Sequence, residues 1–215
     1  MTLYKKQRKV QTRLLLWFKK YRRKFPWRET GDPYKIYIAE TLLQKTNVEK
    51  VLPAYLSLIR KYPTVKKLSK ARVGDFKKII RPLGLIKRAA YLILGAKQVI
   101  KLFNSEFPKD KRELKRIIGV GDYMAHAILC YSFSQRLPLV DTNVARIYNR
   151  LYNRVSEKLP YADKQLWDFS AKALPQKRFK EYNLALLDLS AIICLPTKPL
   201  CIQCPCQNIC SYCQR

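Results

Sequence analysis

The stretch KRELKRIIGVGDYMAHAILCYSF, residues 111–133, decides the fold. Apolar residues fall three and four apart on both sides of Gly119-Val120-Gly121, which is the spacing of helices rather than strands. Two glycines around one aliphatic residue make a tight turn between those helices. Working outward, the same spacing predicts helices over 34–45, 48–61, 74–81 and 87–102, then 110–117 and 123–133 flanking the turn. It continues over 142–152, 162–173 and 178–193. Val10, Leu14, Trp17, Phe18 and Tyr21 mark one face of an amphipathic first helix. Pro and Gly punctuate the joins, as at Phe25-Pro26, Asp32-Pro33, Pro82-Leu83-Gly84 and Phe107-Pro108. No alternating pattern survives more than a few residues. The predicted class is all-α, with about ten helices of ordinary length.

The two-glycine turn has a chemical reading as well as a structural one. Its backbone N–H groups and the helix N-terminus that follows can hold a phosphate. An ordinary interhelix turn is the alternative. The basic run before it, Lys109, Lys111, Arg112, Lys115 and Arg116, favours the phosphate. The whole chain points the same way: 44 Lys and Arg stand against 15 acidic residues, a net charge of +29. Such an excess calls for a polyanion, and nucleic acid is the commonest one. With 215 residues, 48% of them apolar, the chain has enough core for one compact unit or two small lobes and is not disordered overall. No apolar run approaches the ~20 residues that cross a bilayer. The start, MTLYKKQRKVQTRLLLWFKKYRRKF, holds only the short LLLWF run with basic residues directly after it, unlike a secretory signal. The expected location is the cytoplasm, with no membrane partner.

Six of the seven cysteines lie in the last 22 residues, which reads as metal binding rather than a secreted disulfide framework. Cys194-x6-Cys201-x2-Cys204-x5-Cys210 places four thiolates where they can wrap one small inorganic core, as a [4Fe–4S] cluster requires. Zinc is the alternative, held by the pairs Cys201-x2-Cys204 and Cys210-x2-Cys213. Only five residues separate those pairs, fewer than in the usual zinc ribbon, and Cys206 is left over in either arrangement. Cys130 and the lone His126 fall within a helical, largely apolar stretch and read as packing.

Two carboxylates stand out. Asp141, in Val140-Asp141-Thr142-Asn143, precedes a helical run and makes a good N-cap. The same placement favours an anion, which can stabilise a sugar that becomes positive as a base departs. Glu40 lies in IYIAETLLQ, where Tyr37, Glu40, Thr41 and Gln44 share one helix face that can line a pocket. A partly buried glutamate there can move a proton or position water.

Taken together, these segments resemble the helix-hairpin-helix DNA glycosylases that carry a C-terminal iron–sulfur cluster. That family includes endonuclease III, the adenine glycosylase acting opposite 8-oxoguanine, and the thymine mismatch glycosylases of thermophilic archaea. The resemblance runs from about Phe25 to Cys210. It is carried in order by FPWRETGDPYKIYIAETLLQKTNV, LGL at 83–85, GVGDYMAHAILCYSF, LVDTNVARIYNR and NLALLDLSAIICLPTKPLCIQC. It implies a six-helix barrel domain over 25–134, with 1–24 and 135–215 forming a cluster domain. Gly119, Val120 and Gly121 become the DNA-binding hairpin, and Cys194, Cys201, Cys204 and Cys210 the [4Fe–4S] ligands. Asp141 matches the family's essential aspartate, and Glu40 a glutamate shared by the thymine and adenine branches. Gln44 and Leu85 match residues that fill the gap left by a flipped base, and Arg28 and Asn143 support the pocket. The position that is lysine in endonuclease III is Tyr123 here. A lysine amine can attack the sugar and lead to strand cleavage; tyrosine cannot. The resemblance therefore implies a monofunctional enzyme that leaves an abasic site.

The choice of base rests on less. The sequence ends five residues after Cys210, where the adenine enzymes continue into a domain that recognises 8-oxoguanine. NLALLDLSAIIC is also closer to the thymine mismatch branch. The expectation is removal of thymine or uracil opposite guanine from mismatched double-stranded DNA, by a monomer in a prokaryotic nucleoid. The alternatives are an adenine glycosylase acting on A·G or A·8-oxoguanine pairs, a non-catalytic DNA-binding module with a structural metal, and an RNA-binding or redox iron–sulfur protein.

Overall fold

The computed structural model describes residues 1–84, 86–154 and 158–214. Among the described residues the regular structure is helical, with no strand. The α-helices are α1 (Leu3–Tyr21), α2 (Pro33–Leu43), α3 (Val48–Lys61), α4 (Val65–Ser69), α5 (Val73–Ile80) and α6 (Ile86–Phe103). They continue as α7 (Lys111–Leu114), α8 (Asp122–Phe133), α9 (Thr142–Tyr152), α10 (Lys164–Ala173) and α11 (Phe179–Ile192). Short polar residues set several starts. Asp32, Asn47, Thr64, Asp110, Asp141 and Asp163 each accept a hydrogen bond from a first-turn N–H and so satisfy donors the helix cannot.

The chain divides into two compact units: Phe25–Gln135, and Met1–Lys24 with Arg136–Arg215. In the first unit α2 packs on α3 and α8, while α6 packs on α4 and α5. Ile38, Leu42, Leu58, Phe76, Leu92 and Ile128 fill its interior. Gly95 lets α6 approach α2 closely: a Cβ there would lie 2.2 Å from the Tyr37 hydroxyl. Cys130 and His126 are buried in α8.

In the second unit α1 lies on α11, and α11 on α9. Val10, Leu14 and Phe18 of α1 meet a core that includes Ile147, Tyr148, Tyr182 and Leu189. The Arg23 Nε donates to Asp188 Oδ1 at 2.6 Å, and the Arg23 backbone N–H to Oδ2 at 3.0 Å. Asp188 is fully buried, so this pair ties the exit of α1 to α11 where loss of either charge is costly.

Three expectations are corrected. The run 110–117 is helical only over Lys111–Leu114, because the chain must turn through 115–118 to reach Gly119. Helix α4 was not expected: five residues are too few to display a 3.6-residue period. Tyr21 is half exposed, with its ring beside Trp17 at 5.9 Å rather than in the core.

Candidate functional site

Asp141 sits at the start of α9, in the unit that also holds the six C-terminal cysteines. The segment leading to it is anchored on α11: Asn183 Nδ2 donates to the Leu137 carbonyl at 3.0 Å, and its Oδ1 accepts from the Leu139 N–H at 3.4 Å. Arg136 donates to the carbonyls of Ala171, Leu174 and Pro175. Asp141 is half-buried, and both its oxygens are engaged. Oδ1 accepts from the Val144 N–H at 2.7 Å, and Oδ2 accepts from Asn143 Nδ2 at 2.9 Å. The Asn143 Oδ1 accepts in turn from Arg146 Nη1 at 2.9 Å. Arg146 reaches onward, donating from Nε to the Cys194 carbonyl at 2.9 Å and from Nη2 to the Ser190 carbonyl at 3.1 Å. A continuous hydrogen-bonded line thus runs from the carboxylate to the first cysteine of the motif. It fixes the Asn143 amide with its N–H groups toward Asp141, because the arginine can only donate to the other end.

Arg150, one turn further along α9, serves the cysteine loop directly. Its Nη1 lies 3.4 Å from Cys194 Sγ and 2.6 Å from the Leu195 carbonyl, and its Nη2 donates to the Pro196 carbonyl at 2.8 Å. The four cysteines of the motif, together with Cys213, line one partly open cavity. Among the described residues, no group of three or more His, Cys, Asp or Glu side chains is arranged to hold a metal ion. Burial is the first cause that pushes the Cys204 thiol up to about 11, with the neighbouring cysteines adding to it. Thiols crowded in this way become thiolates only beside positive charge, which a metal core supplies. Cys206 is fully buried beneath the loop and does not line the cavity.

The other unit presents the hairpin. Gly119 has φ +83°, a conformation that suits glycine. The Val120 N–H closes the turn on the Ile117 carbonyl at 3.0 Å, and the Val120 side chain is buried. Gln98 Oε1 accepts from the Ile118 N–H at 2.7 Å and braces the turn from α6. Gly121 precedes α8 without a side-chain cap, and a Cβ there would meet open space. Its own packing does not demand glycine; an approaching phosphate would. Lys111 and Lys115 hold Asp122 at 2.9 and 3.0 Å and stand beside this helix start.

Glu40 and Tyr123 are half-buried on α2 and in the first turn of α8, and Gln44 is exposed just past the end of α2. The expected shared polar face of α2 divides. Tyr37 and Thr41 are buried, with Thr41 Oγ1 donating to the Tyr37 carbonyl and touching the Met124 sulfur at 3.9 Å. They pack the interior, leaving Glu40 and Gln44 as the accessible pair. Arg88 donates from Nη1 to the carbonyls of Thr41 and Gln44 and so fixes the turn that carries Gln44. The Arg28 guanidinium lies 5.1 Å from the centre of the Phe25 ring. Leu85 lies outside the described residues.

Sequence reasoning did not single out Arg146, Arg150 or Arg88. The first two carried a signal: Asn143, Arg146 and Arg150 recur at three- and four-residue steps on one helix face. Arg88 had none, since its partners are backbone carbonyls.

The model of a known family, the HhH-GPD superfamily base excision DNA repair proteins, matches residues 38–172. The chain belongs to that superfamily. The match spans α2 to α10, including the hairpin and Asp141, and stops short of the cysteine loop. Among HhH-GPD relatives, the thymine-DNA glycosylase of Aeropyrum pernix is 37% identical, with 94% of this chain and 93% of that one covered. The thymine/uracil-DNA glycosylase of Pyrobaculum aerophilum is 34% identical over 96% and 93%. The adenine DNA glycosylase of Buchnera aphidicola is 32% identical, over 92% of this chain but only 56% of its own. A solved structure of a thermostable thymine-DNA glycosylase superposes with a TM-score of 0.92 at 34% identity, covering 98% of each chain.

Proposed function

We propose that the protein is a monofunctional DNA glycosylase that removes thymine or uracil mispaired with guanine, the products of 5-methylcytosine and cytosine deamination. The full-length similarity to thymine and thymine/uracil glycosylases supports this base choice over adenine. The adenine relative is matched over little more than half its length. Its partner is mismatched double-stranded DNA, bound by a monomer, and the net charge of +29 supplies the attraction. Work in the cytoplasm on the nucleoid is part of this proposal; among the described residues no helix is long and apolar enough to cross a membrane.

In this reading the hairpin around Gly119–Gly121 grips the backbone and the mispaired nucleotide leaves the stack, its weak pairing lowering the cost. Gln44, on the turn held by Arg88, enters the gap with Leu85. Arg28 and Asn143 support the pocket. Asp141 stabilises the sugar as it gains positive charge, and Glu40 moves a proton or positions the attacking water. Tyr123 offers no amine, so strand cleavage through a Schiff base is not expected. One observation carries the assignment: Asp141 is half-exposed yet fixed by two hydrogen bonds, with Arg146 fixing the second donor. A preset acceptor of this kind stabilises developing charge without reorganising.

Cys194, Cys201, Cys204 and Cys210 are proposed to hold a [4Fe–4S] cluster. Four cysteines in a Cys-x6-Cys-x2-Cys-x5-Cys run suit such a core, and all four line one cavity. When bound, the cluster shapes the loop and supplies positive iron to the crowded thiolates. Arg146 and Arg150 of α9 hold the start of that loop at Cys194.

The test is a panel of end-labelled duplexes with G·T, G·U, A·G and A·8-oxoguanine pairs, each followed by hot alkali. Breaks that need alkali, confined to G·T and G·U, are the expected result. Release from the adenine duplexes alone would move the protein to the other branch, and no release from any duplex would leave only a DNA-binding module.

A further inference from the structure

We propose that Cys213 is a reserve ligand for the iron–sulfur core, placed to take over from Cys201 or Cys210 when either is lost. The inference rests on the cluster reading above and adds to it. The motif already supplies four thiolates, and a [4Fe–4S] core takes four. A fifth cysteine at the same cavity has no task in that scheme, yet Cys213 lines it with the other four. Cys201, Cys210 and Cys213 all face that one space. Cys206, by contrast, is sealed in the core and does not face the cavity. Cys206 and Cys213, the two C-terminal cysteines outside the motif, are therefore not equivalent.

Cys213 is not carried on a loose tail. The Ser211 and Tyr212 N–H groups donate to the carbonyls of Leu151 and Arg150 at 3.2 and 3.0 Å. The Ser211 hydroxyl donates to the Leu151 carbonyl and accepts from Lys6 Nζ at 2.9 Å. The Arg150 guanidinium covers the Tyr212 ring at 4.8 Å, and Gln214 closes on the Asn208 carbonyl at 3.0 Å. These contacts hold the segment after Cys210 against the end of α9, the helix whose arginine also reaches Cys194. Cys213 follows Cys210 at the C-x2-C spacing, at which two sulfurs can reach one metal site. In the exchange, the bond from iron to the departing sulfur would break and one to Cys213 would form, the Cys213 thiol proton passing to the departing thiolate. No electron is moved.

The experiment measures iron, acid-labile sulfide and visible absorption of purified full-length variants, with circular dichroism to confirm folding. Wild type and Cys213→Ser are expected to carry the cluster at full stoichiometry. So are Cys201→Ser and Cys210→Ser, whereas Cys194→Ser and Cys204→Ser are expected to lose it. Adding Cys213→Ser to Cys201→Ser or Cys210→Ser should then abolish iron binding. If both single variants lose iron as fully as Cys194→Ser, or if they keep it equally well without Cys213, the reserve-ligand proposal is overturned while the cluster reading stands. If wild type carries zinc and no sulfide, the cluster reading itself fails and takes this proposal with it.

Discussion

Replacing Asn143 by alanine isolates the contribution of the line of hydrogen bonds behind Asp141. The substitution deletes the 2.9 Å bond to Asp141 Oδ2 and leaves the Val144 N–H on Oδ1 intact. A hydrogen bond to a charged group contributes about 1.5–3 kcal/mol. If that contribution is expressed as charge develops on the sugar, base release slows roughly 10- to 150-fold, since about 1.4 kcal/mol is tenfold. Arg146 keeps its bonds to the Cys194 and Ser190 carbonyls, so the cysteine loop stays in place. Single-turnover release from a G·T duplex, under saturating enzyme, reads the chemical step alone. Binding of the same duplex is expected to change little. Arg146→Met should slow release in the same direction, because it frees the Asn143 amide to turn its oxygen toward the carboxylate. The double variant should be no slower than Asn143→Ala, as expected of residues acting in series. A release rate equal to wild type in Asn143→Ala would refute the argument, and so would fully additive losses in the double variant.

Three other outcomes follow from the geometry. Gly95→Ala forces a Cβ to 2.2 Å from the Tyr37 hydroxyl; overpacking of this kind costs about 1–3 kcal/mol and should lower Tm by several degrees. Tyr37→Phe, which removes the clashing oxygen, should restore most of that loss in a thermal melt. The Asp122 carboxyl is held below the usual carboxylate range, first by the hydrogen bond from Lys111 and then by Lys115, with burial opposing. Its stabilisation is complete above the unfolded value of about 3.9 and fades as pH falls through the lower folded value. The effect is small because the pair is partly exposed, and in urea melts Lys111→Met should shrink the stability difference between neutral pH and about pH 2. Tyr123→Lys places an amine in the first turn of α8, and borohydride should then trap a covalent adduct with abasic DNA that the parent protein does not form.

Helix content was legible because long amphipathic runs such as 142–152 repeat their period several times, and the observed α9 has those same bounds. The turn at Gly119 was legible because positive φ favours glycine, and the chain advertises it. What escaped has a common origin in tertiary context. Helix α4 is shorter than two turns. Tyr37 and Thr41 are polar by composition, yet their hydroxyls find partners inside the core, so polarity misreported which side of α2 faces out. Arg88 and Gln98 act on backbone groups far along the chain, and no residue pattern encodes a bond to a carbonyl or an N–H. Asp141 was found because an N-cap is a local feature, whereas its support from Arg146 depends on where α11 brings Cys194.

The most direct measurement is single-turnover base release by Asp141→Asn on a G·T duplex, with affinity for that duplex measured alongside. The amide is nearly the same size but lacks the negative charge, and one of its oxygens becomes a donor facing the Asn143 amide. The account predicts that thymine release falls to background while binding and folding persist. Release at the parent rate would contradict it, because the carboxylate would then be a helix cap and nothing more.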